Sequence, residues 1–76
     1  MSYFVIEMHR MKQQQPKTYH VYNLLRKGYT RQEIAVILNK KPSAVTGIMS
    51  RALERYDVMT QYQLMYMATK AGAFDE

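Results

Sequence analysis

The chain contains no cysteine. That absence excludes a disulfide framework and a thiolate metal site. Its two histidines, His9 and His20, stand far apart without ligand-like spacing. There is no apolar run near the ~20 residues of a membrane span. Residues 1–10 lack the basic stretch and 7–15-residue apolar core of a secretory signal, so a cytoplasmic protein with no membrane partner is expected. No phosphate-cradling glycine loop occurs. Glu33 belongs to a helix cap, and Glu54 and Asp57 have no neighbours suggesting a cleft. Enzyme chemistry has no foothold, and no cofactor is expected.

Acids are scarce: six, against eleven Lys or Arg, for a formal net charge of +5. Residues 17–72 hold nine of the basic residues and three acids, a net +6, so the basic character belongs to the part expected to fold. Such an excess suits a polyanion, usually nucleic acid. With 76 residues there is one domain at most. A domain of this size buries only about 60% of its unfolded surface. Its stability is therefore expected to come from helix packing, with a partner chain as a further source.

Residues 1–15 are ambiguous. Phe4, Ile6 and Met8 alternate as in a strand, whereas Phe4, Met8 and Met11 fit one side of a helix. A lone strand has no partner here, so a helix or ordered arm is expected. Gln13, Gln14, Gln15 and Pro16 read as a linker. The first clear helix spans about 18–27, with Tyr19, Tyr22 and Leu25 at helical spacing, flanked by Val21 and Leu24. Gly28 ends it with a left-handed cap.

The second helix opens on a capping box, Thr30 to Glu33, and its apolar face is Ile34, Ala35, Ile37 and Leu38. Asn39, Lys40 and Lys41 make a turn. Pro42 suits the first position of a third helix, 42–56, because its missing N–H would be unpaired there. Val45, Ile48, Met49, Ala52, Leu53 and Tyr56 form its inner face. Ser43, Thr46, Gly47, Ser50, Arg51, Glu54 and Arg55 are left outside. Gly47 costs roughly 1 kcal/mol relative to alanine inside a helix; a close backbone approach would justify it. A second capping box, Thr60 to Gln63, starts a fourth helix that stops at Gly72. Its middle is apolar nearly all round, which predicts a second buried contact.

The order short helix, polar turn, basic longer helix over 28–56 is the sequence form of a helix-turn-helix, whose second helix enters the DNA major groove. From 17 to 72 the chain resembles the LuxR/GerE-type DNA-binding domain. The matching residues are Val21, Leu24, Leu25, Gly28, Tyr29, Thr30, Glu33, Ile34, Ala35, Leu38, Val45, Arg55, Val58, Ala68 and Gly72. The resemblance implies an all-α, four-helix fold with an N-terminal arm or extra helix at 1–16, the DNA-binding domain at 17–72 and a tail at 73–76. It implies a third helix that reads DNA and a fourth that forms a dimer contact. With no receiver or ligand-binding domain in view, it implies a stand-alone regulator of bacterial or phage origin, located on the nucleoid when bound. Similarity to the DNA-binding region of sigma factors is weaker, because the fourth helix fits the LuxR/GerE pattern better.

The chain departs from that pattern at Ala44, where threonine is usual, and at Lys41 followed by Pro42, where serine is usual. Ile48 replaces a frequent histidine and Tyr56 an expected leucine. The positions that usually face bases match Thr46, Gly47 and Ser50, which are short.

The candidate DNA-binding residues are Thr30, Arg31, Lys40, Lys41, Ser43, Thr46, Gly47, Ser50, Arg51 and Arg55. Lys40, Lys41, Arg51 and Arg55 are placed to clamp phosphates, which positions a protein without reading sequence. Ser43, Thr46, Gly47 and Ser50 are placed at base edges, where Ser and Thr discriminate poorly. Tyr62, Met65, Tyr66 and Thr69 are the candidate homodimer interface, tyrosine and methionine being enriched at interfaces. The expected partner is double-stranded DNA, bound by a dimer. The alternative is a small interaction protein of the same fold that modulates a larger transcription regulator.

Overall fold

The computed structural model describes residues 3–75. The described residues form six helices and no strand. These are α1 (Tyr3–His9), α2 (Met11–Gln14), α3 (Pro16–Arg26), α4 (Arg31–Ile37), α5 (Pro42–Tyr56) and α6 (Gln61–Lys70). Three of them, α3, α4 and α6, pack around α5, and α1 reaches across to α6. The molecule measures 36 × 26 × 20 Å.

The helical spacing of Phe4, Met8 and Met11 is the one realised. Met8 and Met11 are buried in the same core as Val21, Tyr22, Ile34, Val45, Met49, Tyr56 and Leu64, and Phe4 packs against it. The ring of Phe4 meets that of Tyr56 edge-on, centroids 5.6 Å apart. The glutamines are not a free linker. Gln13 and Gln14 belong to α2, and Gln15 turns the chain into α3, which opens with Pro16 and has no side-chain cap. The far end of the chain is also tied down, since Ala73 and Phe74 are buried and Phe74 lies against Tyr19 and under the Arg26 guanidinium.

Helices α3 to α6 all end the same way. A residue enters the left-handed region and the next N–H bonds to a carbonyl five residues back, closing the last turn. Gly28 (φ +97°) and Gly72 (φ +80°) do this without steric cost; Asn39 (φ +54°) and Asp57 (φ +53°) do it with a side chain. The closing bonds are Tyr29 to Leu24, Lys40 to Ala35, Val58 to Leu53 and Ala73 to Ala68, at 2.8–3.3 Å.

The Thr30 capping box is complete. Thr30 Oγ1 accepts from the Glu33 N–H at 3.2 Å, and Glu33 Oε1 accepts from the Thr30 N–H at 2.9 Å. The second box differs from expectation. Thr60 Oγ1 accepts from the Gln63 N–H, but Gln63 Oε1 accepts from the Met59 N–H instead of that of Thr60. A neutral amide reaching one residue further back satisfies a donor outside the helix.

The inner face of α5 is buried as the spacing predicts, with Leu53 half-buried. In α4 only Ile34 and Ala35 are buried, while Leu38 is half-buried. Ile37 and Val36 point outward, Val36 being 79% exposed. Seven helical residues are too few to present more than one buried edge, so the assignment of Ile37 to the core is corrected. Among the described residues no helix is long and apolar enough to cross a membrane.

Candidate functional site

The exposed face of α5 is built by two local decisions. Asn39 turns the chain out of α4 in the left-handed region, and Lys41, in extended backbone, hands it to Pro42 at the first position of α5. Ser43, Thr46 and Ser50 then lie exposed on one side, with Gly47 half-buried among them. All are short, so the helix backbone is accessible to whatever docks there.

Gly47 has a close neighbour. A Cβ added there would lie 3.2 Å from Arg51 Nη1. The Arg51 guanidinium is thus folded over the glycine on its own helix, where an added Cβ would press on it. The neighbour of Gly47 is therefore a side chain of its own helix, not another helix.

The four phosphate candidates separate into two kinds. Lys41 and Arg51 are exposed and Lys40 half-buried, with no ion pair to an acid among the described residues. Arg55 is committed. Its guanidinium bonds to Glu7 from α1, whose side chain is 5% exposed while that of Arg55 is 52% exposed. Glu7 raises the already high Arg55 pKa further, chiefly through this hydrogen bond. Gln15 Nε2 lies 3.0 Å from Glu7 Oε1 and 3.0 Å from Tyr56 Oη. The end of α5 is therefore held by a four-residue polar network reaching back to α1. Burial pushes the Tyr56 hydroxyl above its ordinary pKa, so it stays protonated and serves as donor or acceptor.

Thr30 and Arg31 lie exposed at the start of α4. Thr30 is occupied by its cap. Arg31 turns toward α6, lining a cleft of about 390 Å³ with Leu25, Arg26, Met49, Gln61, Tyr62 and Met65. Below it the Tyr22 hydroxyl bonds to Gln61, and burial drives its pKa up. On α6, Tyr62 is 90% exposed; Tyr66 and Thr69 are exposed and Met65 half-buried. Lys70 lies 5.6 Å from the Tyr66 ring centroid.

Sequence reasoning missed several residues. Glu7 and Gln15 were not singled out. The signal for Glu7 is an acid inside an otherwise apolar run, an arrangement that calls for a partner. Lys17 and Thr18 were also missed. They line a cleft of about 500 Å³ with Gln15, Pro16, Ile48, Arg51, Ala52 and Arg55. A third, apolar hollow on α4 is lined by Tyr29, Gln32, Glu33, Val36 and Ile37. Among the described residues no group of three His, Asp or Glu side chains is placed to hold a metal ion.

No family model matches the chain, and neither a curated protein nor a solved structure does.

Proposed function

We propose that the protein is a double-stranded DNA-binding transcription regulator of LuxR/GerE-like helix-turn-helix architecture, with α4 and α5 as the two helices of that unit. The supporting observation is the outward face of α5. It combines short polar side chains at Ser43, Thr46 and Ser50 with cations at Lys40, Lys41 and Arg51 that no acid pairs with among the described residues. In this reading α5 lies in the major groove and the cations contact phosphates on its rims. The short side chains supply weak base discrimination, leaving much of the affinity electrostatic. The exposed Tyr62, Tyr66 and Thr69 of α6, with the half-buried Met65 among them, pair two copies, so that two half-sites are engaged.

The test is selection of genomic fragments at moderate salt followed by sequencing. An enriched motif with two-fold symmetry is expected. Absence of any retained fragment at low salt overturns the reading.

A second reading rests on a different observation. Val36 and Ile37 on α4, with Tyr29 just before it, expose apolar surface around one hollow. It makes the protein a small interaction module that modulates a larger regulator. Sequence-blind binding, or none, favours this reading over the first.

A further inference from the structure

The cleft between the start of α3 and the flank of α5 is not accounted for by groove reading. Its walls carry three cations from two helices: Lys17 on one side, Arg51 and Arg55 on the other. Glu7 balances Arg55, whereas Lys17 and Arg51 have no ion pair among the described residues. Thr18 adds a half-buried hydroxyl, and no side chain caps the α3 end beside it. The floor, Ile48 and Ala52, is apolar and buried, which keeps water from solvating the cations from below. Arg51 stands between this cleft and the exposed face of α5, its guanidinium over Gly47.

We propose that this cleft seats one backbone phosphate of a bound nucleic acid, between Lys17, Thr18 and Arg51, with Arg55 fixed at its edge by Glu7. The proposal rests on the DNA reading above and extends the contact surface from α5 to the start of α3. Lys17 and Thr18 thereby become phosphate-binding residues. A phosphodiester has the right chemistry: one negative charge to meet the two cations and free oxygens to accept from the Thr18 hydroxyl.

The experiment uses two variants of the full chain and a duplex, with affinity measured by fluorescence anisotropy at several salt concentrations. Lys17→Ala removes one phosphate contact. Its log–log salt slope is expected to flatten by about 0.9, with a loss of roughly fivefold to tenfold near 0.1 M salt. Thr18→Glu places a carboxylate in the cleft. An acid in the first turn is favourable to a helix, so its melting temperature is expected to hold or rise while affinity falls more than tenfold. Wild-type affinity and slope in both variants overturn the proposal and leave the DNA reading standing. A wild-type protein that binds no duplex overturns the DNA reading itself. A parallel titration with inorganic phosphate, followed by amide shifts at Lys17 and Thr18, separates the sources. Saturable shifts in a protein that ignores duplex assign the cleft to free phosphate and overturn the proposal.

Discussion

The two ends of α5 are held by opposite means. Its beginning is set by neighbours in sequence, Asn39 in the left-handed region and Pro42 at the first helical position, and it follows a helix, α4, whose own start is fixed by the local Thr30–Glu33 cap. Its end is set from a distance, by Glu7 and Gln15 acting on Arg55 and Tyr56 across 41 to 48 residues of chain. The cations differ accordingly. Lys40, Lys41 and Arg51 pair with no acid among the described residues; Arg55 is fastened to Glu7. Residues that look alike in a basic helix thus divide into those free to meet a partner and those that fasten the helix.

Four measurements probe that division. The largest effect is expected at the distant end. Arg55→Ala leaves the buried Glu7 carboxylate with Gln15 alone. Losing one partner of a fully buried pair costs about 3–5 kcal/mol; with the guanidinium half in water, about 2 kcal/mol is expected in urea unfolding. The double variant with Glu7→Gln should recover much of that loss. If Arg55→Ala melts like wild type, the network does not fasten the helix.

Next comes the local end. Thr30→Ala removes one capping acceptor from α4 and is expected to lower stability by about 1 kcal/mol. A loss equal to that of Arg55→Ala would erase the contrast between the two ends.

Gly47→Ala tests the free cation between them. Alanine is favoured over glycine in a helix by about 0.5–1 kcal/mol. Only the far end of a flexible side chain, Arg51, must yield a few tenths of an ångström. Stability should rise while DNA affinity falls, because the guanidinium is displaced. A rise in both would show that Arg51 does not depend on the open space at 47.

The smallest effect concerns pH. Hydrogen bonds from Thr30, the backbone N–H first, hold the Glu33 carboxyl below its usual pKa of 4.5. A depressed folded-state pKa contributes stability that is full above the ordinary carboxylate range and is lost as pH falls through the folded value. Wild type and Glu33→Gln should therefore differ most above the ordinary carboxylate range and converge as the pH falls below it. A gap that persists in acid would assign the cap to shape rather than charge.

The same contrast explains what the sequence made legible. Four helices, their starts at Thr30, Pro42 and Thr60 and their stops at Gly28 and Gly72 are local signals, written within four or five residues of where they act. The inner face of α5 followed from its period. Ile37 was misassigned because period alone does not say how many residues a short helix can bury. The role of Gln15 was invisible because a glutamine triplet before proline has a linker's composition. Only the return of α1 to the end of α5 gives Gln15 two polar partners. The locking of Arg55 depends on an acid 48 residues away, a pairing no local pattern encodes. Lys17 joins Arg51 for the same reason: the packing of α3 on α5, not spacing, brings them to one cleft.

The thioethers carry a further consequence of this packing. Met8, Met11 and Met49 are almost wholly enclosed, whereas Met59 is 88% exposed. Oxidation to the sulfoxide makes a flexible apolar side chain polar, and its rate follows access. Mild peroxide should therefore mark Met59 promptly and leave the fold intact. Sulfoxide at Met11 should accumulate only as often as α1 and α2 lift away from the core. The ratio of the two, read by peptide mass spectrometry, is a built-in gauge of how frequently the distant clasp on α5 lets go.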